Sequence, residues 1–311
     1  MQNKEYYFNN FYGWWKNIDK LILIIFLIIL FLGLFFSLVS TSLIASHKLE
    51  TNSYYFFIKH FVFVIAGLGC LFSFSILQQE KLFKLSIVLF FIFFLLLVLV
   101  PFIGVEVKGS KRWIDIGSII RIQPVELLKP FFVIIISLIL AIKKYKNKYF
   151  KYFISLFLLL PIVLFLISQP DLGQTLIILF TWLILVFVSG ISLIIFFLFF
   201  SFFIGLTSYL IFFVSKFEYI KLRFLSFINS SEVGNYQAEK ASDAIISGGF
   251  FGKGIGEGTL NSKIPEAHTD YIVSVVSEEF GAIIVIIIIL LYLIFAYKII
   301  QKINLINKEK I

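Results

Sequence analysis

The chain has 311 residues, of which 60% are hydrophobic and 14% charged, and its mean hydropathy is +1.01. A soluble domain is closer to half apolar and a quarter charged, so a water-soluble enzyme is excluded and a polytopic membrane protein is indicated. The net charge of +9 comes from cations scattered among short polar segments, which suits anionic lipid headgroups and not a nucleic-acid surface.

Cys70 is the only cysteine and lies inside an apolar run, which excludes disulfides and cysteine-based metal sites. The 41 phenylalanines are spread over every apolar run and read as lipid-facing filler. The opening segment is polar, and the apolar run after it is long enough to span a bilayer, so it reads as an uncleaved signal anchor. Runs of spanning length lie near 21–45, 56–77, 82–105, 124–142, 152–168, 172–189, 191–215 and 271–297. They predict an all-α, polytopic membrane helix bundle of about eight spans, a single integral membrane domain over 1–311. The backbone of each span must be helical, since no open strand edge survives in lipid. Only Ser189-Gly190 separates the sixth span from the seventh.

Lys and Arg in the loops set the orientation. With the N-terminus inside, 14 of the 27 fall on the cytoplasmic side and 13 outside. Six of those 13 belong to the long segment 216–270, and long loops translocate with little regard to charge. Setting them aside leaves 14 against 7, which predicts both termini in the cytoplasm and 216–270 as a large periplasmic loop. The cluster KKYKNKYFK at 143–151 is the strongest single pointer.

Lys108, Lys111, Arg112, Arg121 and Lys129 crowd the outer loop between the third and fourth spans and the start of the fourth. Positive charge there opposes the insertion bias, so either an anionic headgroup such as a diphosphate or bulk anionic lipid retains it. In QPVELLKP, Glu126 and Lys129 are three apart and share a helix face, either as a structural ion pair or in direct chemistry. In SQPDLGQT, Pro170 ends one helix and leaves Asp171 at a break between spans, as an N-cap or a substrate contact.

Within 216–270, Tyr236 to Ser247 predicts a short helix ended by Gly248-Gly249. The run GGFFGKGIGEG follows. It is not a nucleotide-binding P-loop, because Gly254 and not Ser or Thr follows Lys253 and no strand precedes it. Its glycines let the backbone turn sharply against the membrane surface. IPEAHTDY, 264–271, then places Glu266, His268 and Asp270 just before the last apolar run. Ionisable groups at membrane depth are functional hypotheses by default. In an extended segment the three would share one face. That arrangement could serve a divalent cation, held as a structural metal or loosely as Mg²⁺ or Mn²⁺ bridging to a diphosphate.

KGSKRWIDIG with RIQPVELLKP, then SQPDLGQT, YQAEKASDAIISGGFFGKGIGEG and IPEAHTDYIVSVVSEEFG, occur in the order seen in one family. The chain resembles the SEDS family, the membrane glycosyltransferases of shape, elongation, division and sporulation. GVEVKGSKRWI and the PEAHTDY…EEFG ending resemble its division members more than its elongation members. The resemblance implies a peptidoglycan polymerase that joins lipid II units and releases undecaprenyl diphosphate, at the septum of the bacterial inner membrane. It would pair with a class B penicillin-binding transpeptidase of the FtsI type and hold no tightly bound cofactor. By motif match Asp270 would be the catalytic base, with Lys111, Arg112, Trp113, Glu126, Lys129, Asp171, Glu266 and His268 contacting substrate. A lipid II flippase and a non-catalytic division scaffold are the alternatives. Two departures stand out. Val125 occupies a position that is usually Ser, and the family pattern carries ten spans where this sequence ends at Ile311 after the eighth. Activity of a chain shortened in this way does not follow from the resemblance.

Overall fold

A computed structural model describes residues 11–48, 54–107, 110–117, 120–142, 149–218, 220–222, 236–260, 263–264, 267 and 270–308. All eight expected spans are helices: α2 (Lys20–Lys48), α3 (Tyr55–Ile76), α4 (Gln79–Ile103), α5 (Pro124–Ala141), α6 (Phe150–Ser168), α7 (Leu172–Val188), α8 (Leu193–Phe213) and α10 (Ile272–Lys308). Two shorter helices, α1 (Phe11–Asn17) and α9 (Tyr236–Gly248), and a 3-10 turn at Ser215–Phe217 are also present. Seven of these are long and apolar enough to cross a membrane, and α7 is apolar but has only 17 residues. The expected break between α7 and α8 is a turn with Gly190 at φ 83°, a conformation only glycine adopts freely.

One element was not expected. Between α4 and α5 the chain forms a three-stranded antiparallel ribbon of β1 (Val105–Val107), β2 (Ser110–Ile116) and β3 (Ile120–Ile122), in the order β1-β2-β3. Ribbon and bundle coexist because the strands lie in a connection between spans, where polar groups outside the strand pairing can meet water. In β2–β3, Asp115 sits opposite Arg121 and receives two guanidinium hydrogen bonds, Nε to Oδ1 at 2.7 Å and Nη2 to Oδ2 at 3.1 Å. That guanidinium holds the Asp115 carboxyl below the usual carboxylate range.

Two compact units emerge from the packing. Gln78–Ser230 contains α4 to α8 and the ribbon. Its core joins Leu97, Leu128, Phe132, Ile136, Leu159, Ile162, Leu166 and Trp182, all fully buried. Lipid is as apolar as these side chains, so the helices are held by close packing and internal hydrogen bonds more than by the hydrophobic effect. The buried Trp182 indole accordingly donates to Ser155 Oγ at 3.1 Å. Pro124 opens α5 at its first turn, with Glu126 in the same turn facing the positive end of the helix dipole.

The other unit contains Met1–Leu77 and Ser231–Ile311. Here α10 packs along α2, with Phe26 stacked on Phe295 and Phe35 and Phe36 edge-on to Phe280. At the opposite end of α10, Lys302 pairs with Asp19 at 3.3 Å. Helix α10 is broken. Gly281 has φ 83° and ψ 172°, so Ile272–Phe280 and the run from Ala282 onward are separate helical pieces. The loop after α9 fills the break. Ala282 N donates to Gly249 O at 2.9 Å and Ile283 N to Phe250 O at 3.3 Å, while Lys253 N and Gly254 N donate to the carbonyls of Glu278 and Glu279 at 2.9 and 3.1 Å. Backbone groups freed by a break in a membrane helix must be satisfied inside the protein, and this loop satisfies four of them. A side chain at Gly281 would stand 2.2 Å from Phe250 O, and one at Gly248 2.0 Å from Ser277 O. The sharp turn expected of the glycine-rich run is thus a splice into a helix.

Candidate functional site

The expected site residues fall into one polar cluster in each unit. In Gln78–Ser230 the cluster is built where β2, the start of α5 and the α6–α7 turn meet. Side chains alternate along a strand, so Lys111 and Arg112 leave β2 on opposite faces. Arg112 turns toward the α6–α7 turn, where its guanidinium donates to the carbonyls of Gln169 and Pro170 and stands 3.6 Å from an Asp171 oxygen. Gln169 reaches in turn to Leu97 O at 3.4 Å. Trp113 is half-buried and pairs in register with Val105.

Asp171 is 6% exposed and caps α7, accepting from Gln174 N at 3.3 Å and from Gln123 Nε2 at 3.1 Å. Gln174 links the two acids, because its side-chain amide donates to Glu126 at 2.6 Å. Glu126 also pairs with Lys129 at 2.6 Å across one helix turn. The cap and the i, i+3 pair that the sequence suggested are both present.

This geometry divides the cations. Arg112, Arg121 and Lys129 each pair with a carboxylate, at Asp171, Asp115 and Glu126. Lys108 lies outside the described residues. Lys111 is exposed opposite Glu106 in the β1–β2 register, and among the described residues it forms no ion pair.

In the other unit, Asp270 is exposed in the turn that leads directly into α10. Its approach is anchored by Ile264 and Ala267, each 1% exposed, packed with Ala244 of α9 and Val275 of α10. Glu266 and His268 lie outside the described residues, and so does the shared face they would form with Asp270. Among the described residues no group of three or more His, Cys, Asp or Glu side chains is placed to hold a metal ion.

Glu278 is the residue that sequence reasoning passed over. It is fully buried, and its Oε1 accepts from Lys253 Nζ at 2.9 Å and from the backbone N–H groups of Thr259 and Leu260 at 2.9 and 3.1 Å. One carboxylate oxygen therefore ties the middle of the glycine-rich loop and the residues just after it to α10, a short way along the helix from Asp270. Its signal was the EEFG string, two acids inside an otherwise apolar run. A charge kept there demands a partner.

Known proteins place this fold. Over 268 residues the chain is 34% identical to the probable peptidoglycan glycosyltransferase FtsW of Wigglesworthia glossinidia brevipalpis, an alignment covering 84% of this chain and 67% of that protein. It is 26% identical over 281 residues to the probable peptidoglycan glycosyltransferase FtsW of Caulobacter vibrioides, covering 87% and 68%. The crystal structure of the rod shape determining protein RodA of Thermus thermophilus superposes with a TM-score of 0.60 at 24% identity, covering 91% of this chain and 74% of that one. A chain from a peptidoglycan synthase complex that coordinates polymerization and crosslinking superposes at 0.68, also at 24% identity, covering 91% and 77%. The family profile described as a cell cycle protein matches residues 19–310, and this chain belongs to the FtsW/RodA/SpoVE family.

Proposed function

We propose that this chain is a peptidoglycan glycosyltransferase that polymerises lipid II during cell division, working from the outer face of the bacterial inner membrane at the septum. The placement of Asp270 carries the reading: an exposed carboxylate at the rim of a membrane helix, on a segment held by the buried side chains of Ile264 and Ala267. A general base must first be within reach of the proton it takes, and an anchored rim position supplies that. In the step proposed, the 4-hydroxyl oxygen of the acceptor sugar attacks the anomeric carbon of the donor with inversion. Its proton passes to Asp270, and the bond from that carbon to the diphosphate oxygen breaks. The electron pair leaves with undecaprenyl diphosphate. A cation lowers the cost of that leaving charge, and Lys111, free of an ion pair among the described residues, is assigned the role.

Arg112, Glu126, Lys129 and Asp171 are read as the framework that holds the ribbon and the α6–α7 turn, with Trp113 beside them. Glu266 and His268 keep their assignment to substrate by motif. A divalent cation enters only as a loose bridge to the diphosphate. The relatives named FtsW and the synthase-complex neighbour support a class B penicillin-binding transpeptidase as partner. With 1–311 taken as one membrane domain, both termini lie in the cytoplasm and 216–270 outside.

The test is glycan synthesis by the purified chain in detergent with lipid II, Mg²⁺ and the transpeptidase, read on a gel beside Asp270→Ala. Product from the native chain and none from the variant is expected. Equal product from both would sink the assignment of Asp270. Lipid II transport that survives Asp270→Ala, without any polymer, would replace the polymerase reading with a flippase.

A further inference from the structure

The loop that mends the break in α10 carries its own unexplained feature. At its tip, Phe250 is 73% and Phe251 84% exposed. Ile245 and Ile246 of α9 are exposed just before them. The rest of α9 is arranged otherwise: Ala241, Ala244 and Gly248 are buried, and Lys240 pairs with Asp243 on a polar flank. Four large apolar side chains are thus left uncovered on a segment that is otherwise polar or packed.

Their depth can be worked out from the splice. The hydrocarbon core is about 30 Å thick and takes about 20 helical residues to cross. Lys298 and Lys302 mark one boundary on α10, at the level where Lys302 meets Asp19 just before α2. On the unbroken piece Ala282 lies about 24 Å before Lys298 at 1.5 Å per residue, so Ala282 and Ile283 lie inside the hydrocarbon. Gly249 O and Phe250 O accept from those two backbone N–H groups. The tip is therefore held at hydrocarbon depth, not in the water above it. Glu278 lies just beyond the break, and its pairing with Lys253 neutralises both.

We infer that Phe250 and Phe251, flanked by Ile245 and Ile246, form an apolar wedge that enters the lipid hydrocarbon beside α10. The wedge fixes how deep the loop between α9 and Asp270 sits in the bilayer. The occupant is acyl chain, the medium that meets exposed side chains at the depth the backbone anchoring sets.

Nitroxide accessibility tests this on the full chain in phosphatidylethanolamine–phosphatidylglycerol liposomes. In a Cys70→Ser background, labels are placed through Ile246→Cys, Phe250→Cys and Phe251→Cys, one at a time. Leu290→Cys serves as the hydrocarbon reference and Lys263→Cys as the aqueous one. Oxygen concentrates in hydrocarbon and a nickel chelate in water, and power saturation reads both. The oxygen-to-nickel ratio at 250 and 251 is expected to lie several-fold above that at 263 and close to that at 290. A ratio like that at 263 would put the tip in water, and low access to both reagents would show a protein partner covering it; either result overturns the wedge. Three separate sites keep one poorly folded variant from deciding the outcome. The measurement uses no catalysis, so it stands apart from the glycosyltransferase reading.

Discussion

Around Asp171 the charges are shared among several side chains as well as backbone groups, whereas Glu278 in the other unit is met on one oxygen by two backbone N–H groups and a single lysine. Arg112, Gln123, Gln174, Glu126 and Lys129 form a chain of replaceable partners, several of them partly exposed. Glu278 instead takes two backbone N–H groups and Lys253 on one oxygen, in a site with no exposure. A side-chain network can lose one member and keep the rest. A clamp on backbone loses the loop's path when its single carboxylate goes. The first cluster is therefore expected to tolerate change better than the second, which carries the approach to Asp270.

Loss of Asp270 should have the largest effect. Asp270→Ala is expected to lower polymerisation by about 10²–10⁴-fold, the usual contribution of a positioned general base, with folding unchanged. Next comes Glu278→Ala. It strands the Lys253 ammonium and two N–H groups, and should cost about 3 kcal/mol in an unfolding titration of the reconstituted chain. A cost no greater than that of Arg112→Ala would erase the contrast between the clusters.

Gly281→Ala follows, at about 2 kcal/mol, because a side chain is forced into a left-handed φ against Phe250 O. Hydrogen exchange should show Ala282 and Ile283 losing protection first. Smaller again is the split between neighbouring cations. Lys111→Ala should weaken lipid II binding by about tenfold, the scale of one lost charge-assisted contact. Arg112→Ala should act mainly on stability, since Arg112 already serves two carbonyls and Asp171. Equal losses of binding would return Arg112 to the diphosphate.

The smallest effect is a pH effect at Asp115. Its folded-state pKa is depressed by Arg121, so the pair's contribution is fully present above the ordinary carboxylate pKa. It is lost as pH falls through the depressed value. Arg121→Gln should therefore change ribbon stability near neutral pH and lose that effect in acid.

Much of this was legible in the sequence, for identifiable reasons. The eight helices followed from apolar runs of spanning length, and α9 from Gly248-Gly249 at its end. Glu126–Lys129 and the Asp171 cap were readable because their partners lie within one helical turn. The ribbon was not, since its pairing depends on register between short segments of mixed composition. The break at Gly281 was hidden inside an unbroken apolar run, where hydropathy registers no backbone dihedral. Arg112 and Glu278 find partners 58 and 25 residues away, a separation that no local pattern encodes.

Helix α7 has 17 residues and is about 25 Å long at 1.5 Å per residue, some 5 Å short of a typical hydrocarbon core. Its ends are fixed by the Asp171 cap and the Gly190 turn, so it cannot lengthen to match. A span this short is accommodated by local thinning of the bilayer or by the flanking residues and neighbouring helices, and thinning would set the Asp171 cluster in a dimple of the bilayer surface. Acyl-chain length is then expected to bear on the protein, with short-chain bilayers relaxing a mismatch that long-chain bilayers impose.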